Sequence, residues 1–151
     1  TEVMRLLDAA GVPYELHRHS KDVYTVEEAA QERGVRPDQI VKVMLVRKSD
    51  HALVAVLVPG NQRLSLKKLS LALGDKRITL ATPQEIEAAT GYAVGAISPV
   101  GMPASMPIYV DRGIARNAQV AISSGSHAAG ILLASRDLLR VVNGISGDYC
   151  A

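Results

Sequence analysis

The spacing of apolar residues divides the chain into short helices and strands. Apolar positions three and four residues apart, preceded by a hydroxyl capping residue or followed by glycine, predict helices. These helices cover residues 1–10, 25–34, 65–74, 82–90 and 135–142, with Thr25, Ser65, Thr82 and Ser135 as capping residues. Two apolar runs rich in β-branched residues, 40–46 and 52–58, flank a polar stretch and predict a hairpin. Because both faces of its strands are apolar, the hairpin is expected at the centre of a sheet.

Shorter segments with strand-like composition complete the pattern. They cover residues 14–17, 77–80, 107–111, 119–123 and 131–134, and turns are expected at 36–38, 112–113 and 124–127. Strands and helices are interspersed without a regular βαβ rhythm. This order predicts an α+β fold with a mixed, largely antiparallel sheet flanked by helices. No internal repeat or linker interrupts residues 1–151, so a single domain is expected.

The composition is typical of a soluble domain. Hydrophobic residues make up 48% of the 151 residues, and Trp and Phe are absent, so Leu, Val, Ile and Ala must build the core. The longest apolar run, residues 52–58, is far shorter than the ~18 residues that span a bilayer, and residues 1–10 lack the features of a signal peptide. We therefore expect a cytoplasmic protein without a membrane partner. The net charge of +2 permits an anionic partner but is low for a protein that coats duplex nucleic acid.

The only cysteine, Cys150, lies next to the C-terminal residue. A single cysteine excludes an intramolecular disulfide and a cysteine zinc cluster. We expect the last residues to be frayed, and a cysteine there lacks the neighbouring base and the lowered pKa that a nucleophile needs. Cys150 is therefore not expected to act in catalysis.

Residues 91–101 form a loop rich in glycine, with a proline after Ser98. Glycine permits positive φ, while proline fixes its own φ and extends the residue before it, so a rigid loop is expected. Such a loop could direct the N–H groups of Gly95, Ala96 and Ile97 towards a carbonyl oxygen or a phosphate. A plain tight connection between two elements is the alternative.

Lys42 is a charged residue inside an otherwise apolar strand. It lies either at a sheet edge, with its stem over apolar surface, or in a cleft where its ammonium meets an anion. The apolar residues on both sides of it favour the cleft.

Hydroxyl side chains and one imidazole cluster in residues 123–127. A serine-hydrolase triad is disfavoured because no Gly-x-Ser-x-Gly elbow is present and adjacent residues rarely act on each other as nucleophile and base. A hydrogen-bonding wall of a small pocket fits better. His17 and His19 alternate on one strand and could chelate a metal together with His127, but a solvated strand end is preferred because no metal-binding spacing is present. Motifs for dinucleotides and for ATP phosphates are absent, so neither a cofactor nor a metal is expected.

Three segments together resemble the YbaK and prolyl-tRNA synthetase insertion-domain family of aminoacyl-tRNA editing domains. They are Lys42 in its apolar strand, the loop with Gly91, Tyr92, Gly95, Ser98, Pro99 and Gly101, and the stretch Ile122-Ser-Ser-Gly125. The similarity runs in order along nearly the whole chain, and residues 95–99 carry the family's Gly-x-x-x-Pro signature. It implies a compact α+β fold with a barrel-like sheet, and hydrolysis of the ester that joins a wrong amino acid to the 3′ end of a tRNA.

The resemblance also implies roles for individual residues. Lys42 would hold the terminal adenosine and its phosphate, and the loop amides of Gly95, Ala96 and Ile97 would act at the cleavage site. The implied substrate-binding residues are His19, Tyr92, Ser98, Pro99, Ser123, Ser124, Gly125 and His127. Among these, Ser123 would contribute to the substrate pocket and His127 would shape the amino-acid site.

The chain departs from the thiol-editing branch of this family in the region after Ser123. That branch continues Ser-Gly-Gly-Lys-Arg-Gly, whereas residues 123–128 read Ser-Ser-Gly-Ser-His-Ala. Gly130 stands where an aspartate is expected, and His19 stands where that branch has a tyrosine. These departures bear on which amino acid is removed.

An aminoacyl ester is already activated, so the expected mechanism is positioning of the ester and a water together with oxyanion stabilisation by backbone amides. The ribose hydroxyl beside the ester, or the amine or thiol of the amino acid, could assist the water. The predicted function is a free-standing deacylase for the tRNA of proline carrying alanine, cysteine or another small amino acid, with an aminoacyl-tRNA synthetase as a further partner. The alternative is a non-catalytic module that binds a tRNA end or a nucleotide. Either would be a monomer or a homodimer.

Overall fold

The computed structural model describes residues 1–151 as five α-helices and eight β-strands. The helices are α1 (Glu2–Ala9), α2 (Val26–Arg33), α3 (Leu66–Leu73), α4 (Pro83–Thr90) and α5 (Ser135–Val142). The strands are β1 (Tyr14–Arg18), β2 (Val41–Arg47), β3 (Leu53–Pro59), β4 (Thr79–Leu80), β5 (Ile108–Asp111), β6 (Gln119–Ser126), β7 (Ala129–Ala134) and β8 (Ile145–Gly147). None of the helices has the length and apolarity needed to cross a membrane.

The helix boundaries follow their capping residues with one exception. The side chains of Thr25, Ser65 and Thr82 accept hydrogen bonds from N–H groups in the first turns of α2, α3 and α4, as predicted. The prediction was wrong at α5, where Ser135 is the first helical residue and no side-chain capping bond is made. The Ser135 N–H instead donates to the carbonyl of Ala118 at 2.9 Å, so a contact distant in sequence anchors this helix start.

The strands form two sheets. The larger sheet has the order β4-β2-β3-β5-β8, and the smaller one has the order β1-β7-β6. The β2–β3 hairpin lies inside the larger sheet, as predicted, and only the β3–β5 and β5–β8 pairs are parallel. The expected mixed, largely antiparallel α+β fold is therefore confirmed.

The two sheets do not close into a complete barrel. They meet at a parallel bridge between Ile40 and Ala121. Strand β4 pairs with β2 only at Val46 and Arg47, so the remainder of that β2 edge has no strand partner. This open edge forms one wall of the pocket described below.

Alternation along β2 directs its side chains into two apolar clusters. Val41 and Val43 pack in a cluster built around 13 buried residues, between α1, α5 and both sheets. Met44 and Val46 face a second cluster, which lies under α3 and the C-terminal residues. Lys42 is therefore placed on the sheet face of the second cluster.

Strands β6 and β7 are longer than predicted, and the expected turn at residues 124–127 is smaller. Strand β6 continues to Ser126, so the turn is reduced to His127 and Ala128. The pairing register shifts between Ser123 and Ser126, and Gly125 has a φ of +92°. These are features of a β-bulge, which a sequence pattern does not distinguish from a turn.

The C-terminus is packed, contrary to the expectation of a frayed tail. Cys150 forms an antiparallel bridge with Leu64, and the N–H of Tyr149 donates to the Asp111 carboxylate at 2.9 Å. Burial is the main cause that raises the pKa of Cys150 to about 12. The thiol is therefore protonated at neutral pH, which agrees with the expectation that it is not a nucleophile.

Candidate active site

A pocket of about 290 Å³ lies between α2, the open edge of β2 and the glycine loop. Lys42 from β2, Gly95 and Ile97 from the loop and Ser123 from β6 line this pocket together. The roles implied by the family resemblance require these residues to lie at one site. Most of the remaining lining is apolar, and Arg33 and Lys42 are its only charged residues.

Two of the three backbone donors predicted in the glycine loop are free and belong to residues that line the pocket. The N–H groups of Gly95 and Ile97 have no hydrogen-bond partner in the protein, and both residues line the pocket. The predicted third donor, Ala96, is not free, because its N–H donates to the Ala93 carbonyl at 3.0 Å. A tight turn thus fixes Ala96 and leaves the amides on either side of it without partners.

Tyr92 and His127 brace the loop from outside the pocket. The Tyr92 hydroxyl donates to the carbonyl of Val100 at 2.7 Å, and His127 Nε2 lies 3.0 Å from the carbonyl of Val94, to which it donates. The His127 ring also lies 4.4 Å from the ring of Tyr24, centroid to centroid. Neither Tyr92 nor His127 lines the pocket, so their contacts are those of residues that position the loop.

Ser98 and Pro99 also lie away from this pocket. Ser98 is fully buried, and its Oγ accepts the N–H of Val100 at 3.3 Å. Pro99 faces another hollow of about 430 Å³, formed by residues 99–108, 141–143 and 145. That hollow is larger, but no titratable side chain lines it. The Ser-Pro pair therefore shapes the loop without facing the site.

One donor of the Lys42 ammonium is occupied. Its Nζ donates to the carbonyl of Gln62 at 2.7 Å, on the sheet face that also carries Met44. Lys42 therefore lines the pocket, but its charge is anchored to the segment that follows β3. A ligand phosphate would have to replace the Gln62 carbonyl or approach beside it.

The polar residues of the β6 bulge mainly bind one another. Ser123 Oγ accepts the N–H of Gly125 at 3.0 Å, and the fully buried Ser124 donates its hydroxyl proton to the carbonyl of Ala129 at 2.7 Å. Of the four substrate-binding residues predicted in this stretch, which include His127, only Ser123 lines the pocket.

Arg33 is a pocket residue that sequence reasoning missed. It is only 5% exposed, and its Nε donates to His19 Nε2 at 3.3 Å. His19 Nδ1 lies 2.7 Å from the carbonyl of His127 and donates to it. His19 therefore supports Arg33 and does not line the pocket. The available signal was helical spacing, since Arg33 lies three and four residues after Ala30 and Ala29 on the buried face of α2.

The charge states of this pair follow from burial. Burial lowers the pKa of Arg33 to about 10, which leaves it protonated at neutral pH. Burial also lowers the pKa of His19, and the charge of Arg33 lowers it further. His19 is therefore neutral at neutral pH, with the proton on Nδ1 and a lone pair on Nε2 for Arg33.

The three histidines considered as metal ligands do not gather. His17 contacts Glu15 on the exposed part of β1 at 3.3 Å, while His19 is turned to Arg33 and His127 to Val94. No group of three or more His, Cys, Asp or Glu side chains is arranged to hold a metal ion.

Comparison with known proteins shows which domains this chain is similar to. The profile of the aminoacyl-tRNA editing domain family matches residues 20–141. A relative from Enterococcus faecalis, named "Putative Cys-tRNA(Pro)/Cys-tRNA(Cys) deacylase EbsC", is 32% identical over 146 residues, which are 95% of this chain and 89% of that protein. The proline–tRNA ligase of Thermosipho melanesiensis is 41% identical over 96 residues, which are 64% of this chain but 17% of the ligase.

Solved structures share the fold over the whole chain. A crystal structure of a hypothetical protein superposes with a TM-score of 0.93 at 28% identity and covers 100% of both chains. A structure described as "a putative trans-editing enzyme for prolyl tRNA synthetase" has a TM-score of 0.88 at 27% identity, covering 99% of this chain and 94% of that one.

Proposed function

This chain belongs to the aminoacyl-tRNA editing domain family, and we propose that it is a hydrolase that cleaves the ester between a wrong amino acid and the 3′ end of a tRNA. One observation carries this proposal: Gly95 and Ile97, whose N–H groups have no hydrogen-bond partner, line a pocket whose other residues are cationic and apolar. Two free backbone donors in a pocket suit the carbonyl oxygen of an ester. A cationic lining suits an RNA terminus, which is anionic.

In the proposed reaction, the two amides hold the ester carbonyl oxygen. A water attacks the carbonyl carbon, and the negative charge that develops on the oxygen is stabilised by the Gly95 and Ile97 N–H groups. Collapse of this intermediate breaks the bond to the ribose oxygen, which takes up the proton that the water has lost. The loop is held by Tyr92 and His127 before substrate binds, so the donors need little reorganisation.

No histidine or carboxylate lines the pocket to act as a general base. The proton must therefore move by way of the substrate, and the ribose hydroxyl next to the ester is suitably placed for this in any 2′- or 3′-aminoacyl ester. An aminoacyl ester is reactive enough for positioning and oxyanion stabilisation to supply much of the acceleration.

For the substrate, we propose the tRNA of proline carrying cysteine, alanine or another small amino acid. The names of the Enterococcus relative and of the trans-editing structure support a tRNA linked to proline. The match to part of a proline–tRNA ligase also supports this choice and suggests that synthetase as a partner.

Deacylation of purified tRNA for proline, charged in turn with alanine, cysteine and serine, tests this function. We expect release of at least one of these amino acids faster than spontaneous hydrolysis. A non-catalytic module that binds the tRNA end is the second candidate, favoured by the absence of a side-chain base in the pocket. Esters that stay intact while the charged tRNA still binds would establish that second candidate and refute the hydrolase.

A further inference from the structure

Arg33 carries a charge that the proposed reaction does not use. Its side chain lies on the buried face of α2 and reaches the pocket beside Ser123. Its Nε is bonded to His19, but its two terminal amino groups make no hydrogen bond to the protein. No fully buried side-chain nitrogen in the structure lacks a partner, so these two amino groups must retain contact with solvent. Arg33 lines this pocket and none of the other principal hollows, so the pocket is the available route by which the amino groups reach solvent.

Gly130 and His19 hold the guanidinium in one position. Gly130 lies under the Arg33 side chain, and a Cβ placed on it would overlap Nε and stand 2.5 Å from Cδ. His19, which does not line the pocket, accepts from Nε, and its own ring is fixed by the carbonyl of His127. A donor that is already held in place loses little conformational freedom when it binds a ligand.

No acidic residue balances the charge of Arg33. The pocket lining contains no Asp or Glu. The adjacent residue Glu32 is engaged elsewhere, because its carboxylate accepts from the backbone N–H and the hydroxyl of Ser20. Burying an unpaired charge is costly, and the planar arginine fork matches the paired oxygens of a carboxylate or phosphate.

We propose that Arg33 is an oxyanion-binding subsite of this pocket, which grips two oxygens of a phosphate or carboxylate group through its terminal amino groups. The identity of the natural ligand rests on the proposed function. The oxyanion is then either a phosphate of the terminal nucleotide or a carboxylate side chain on the acyl group. One donor of the Lys42 ammonium is held by the Gln62 carbonyl, whereas both terminal amino groups of Arg33 are free at this site.

Calorimetric titration with small probes tests the subsite and distinguishes the two sources. Adenosine monophosphate is compared with adenosine, and propionate is compared with propionamide, so that each anion has a neutral counterpart. We expect one anion to bind more tightly than its counterpart, and Arg33→Gln to weaken that anion about 10- to 100-fold while leaving the neutral probe unchanged. The anion that responds identifies the source. The proposal would be overturned if neither anion bound more tightly than its neutral counterpart. It would also be overturned if Arg33→Gln bound the anions as tightly as the wild type.

Two further variants keep the test valid if Arg33→Gln is unstable. Gly130→Ala leaves the charge in place but displaces the guanidinium, so it should weaken the same anion. Arg33→Lys keeps the charge without the planar fork and should bind the anion with intermediate affinity. Arg77→Gln is the matched control, since Arg77 lines a separate surface hollow with Lys48 and Asp75, and its anion affinity should equal that of the wild type.

The subsite and the hydrolase can fail separately. Loss of anion binding in Arg33→Gln without deacylation by the wild type would support the subsite and refute the hydrolase. Deacylation by the wild type, together with equal anion affinity in the wild type and Arg33→Gln, would support the hydrolase and refute the subsite.

Discussion

Arg33 donates its Nε–H to Nε2 of His19 at 3.3 Å, so the guanidinium depends on a neutral imidazole. A protonated His19 has no lone pair on Nε2 and would repel Arg33. The pKa of His19 is lowered below its ordinary value mainly by burial, and the charged groups around it are Arg33, Glu32 and Asp22. The contact is therefore present at neutral pH and is lost as the pH falls through the lowered pKa of His19.

The protein should become less stable as the pH drops, because the hydrogen bond between Arg33 and His19 is lost. Between the lowered pKa in the folded state and the ordinary value of about 6.5 in the unfolded state, the unfolded chain binds more protons. The free energy of unfolding should then decrease as the pH falls from about 6.5 through the folded pKa, and anion affinity should decrease with it. Urea unfolding and probe titration between neutral and acidic pH measure both effects.

His19→Gln should remove this pH dependence, whereas His17→Gln should retain it, because the His17 ring is hydrogen-bonded to Glu15 and not to Arg33. The same pH dependence in both variants would contradict the assignment to His19.

Gly95→Ala should lower the deacylation rate about 10²- to 10³-fold, the usual cost of losing one oxyanion donor. Gly95 has a φ of +88°, which strains any other residue, and an added Cβ would lie 3.3 Å from His127 Nε2, so the loop or the His127 ring must shift. The control is Gly91→Ala, which introduces similar strain at a φ of +75° but meets no atom within 4 Å. Single-turnover deacylation measures the difference, and equal rates for the two variants would exclude the Gly95 amide from the reaction.

Lys42→Met should lower both deacylation and stability. It removes the charged donor to the Gln62 carbonyl, a bond of a type that contributes about 1.5 kcal/mol or more. Lys68→Met is the control, because Lys68 also donates to a backbone carbonyl, that of Cys150 at 2.7 Å, and does not line the pocket. If both variants lose stability but both retain full activity, Lys42 has only a structural role.

Tyr92→Phe should reduce the free energy of unfolding by about 1 kcal/mol, because it removes the hydroxyl bond to Val100 and keeps the ring that packs over Gly101 and Gly125. Tyr109→Phe is a suitable comparison, since the Tyr109 hydroxyl makes no hydrogen bond and its loss should be nearly neutral. Urea unfolding curves with equal m-values measure the change in free energy of unfolding for both variants. A neutral Tyr92→Phe would show that the ring alone braces the loop.

Cys150 should react slowly with thiol reagents in the folded protein. Its pKa is raised to about 12, so little thiolate is present even at mildly alkaline pH. We expect rapid labelling only after unfolding, and full deacylation activity in Cys150→Ser. Fast labelling of the native protein would contradict the packed C-terminus.

The elements that sequence patterns predicted are those specified by neighbouring residues. The caps at Thr25, Ser65 and Thr82 act within one helical turn, and the β2–β3 hairpin follows from two adjacent apolar runs. Predictions failed where a distant contact decides the outcome, as at Ser135, which bonds Ala118, and at Cys150, which pairs with Leu64.

The same division applies to the site. A glycine loop with positive-φ positions and a lysine in an apolar strand can be read from the residues in order, because backbone conformation and strand alternation are local properties. Which of these groups are free to act depends on the tertiary structure. In the folded chain the Ala96 amide and the Lys42 ammonium have hydrogen-bond partners, whereas the Gly95 and Ile97 amides have none. Arg33 packs over Gly130, which is distant in sequence. Hydrogen-bond partners and burial depend on such contacts between residues far apart in the chain.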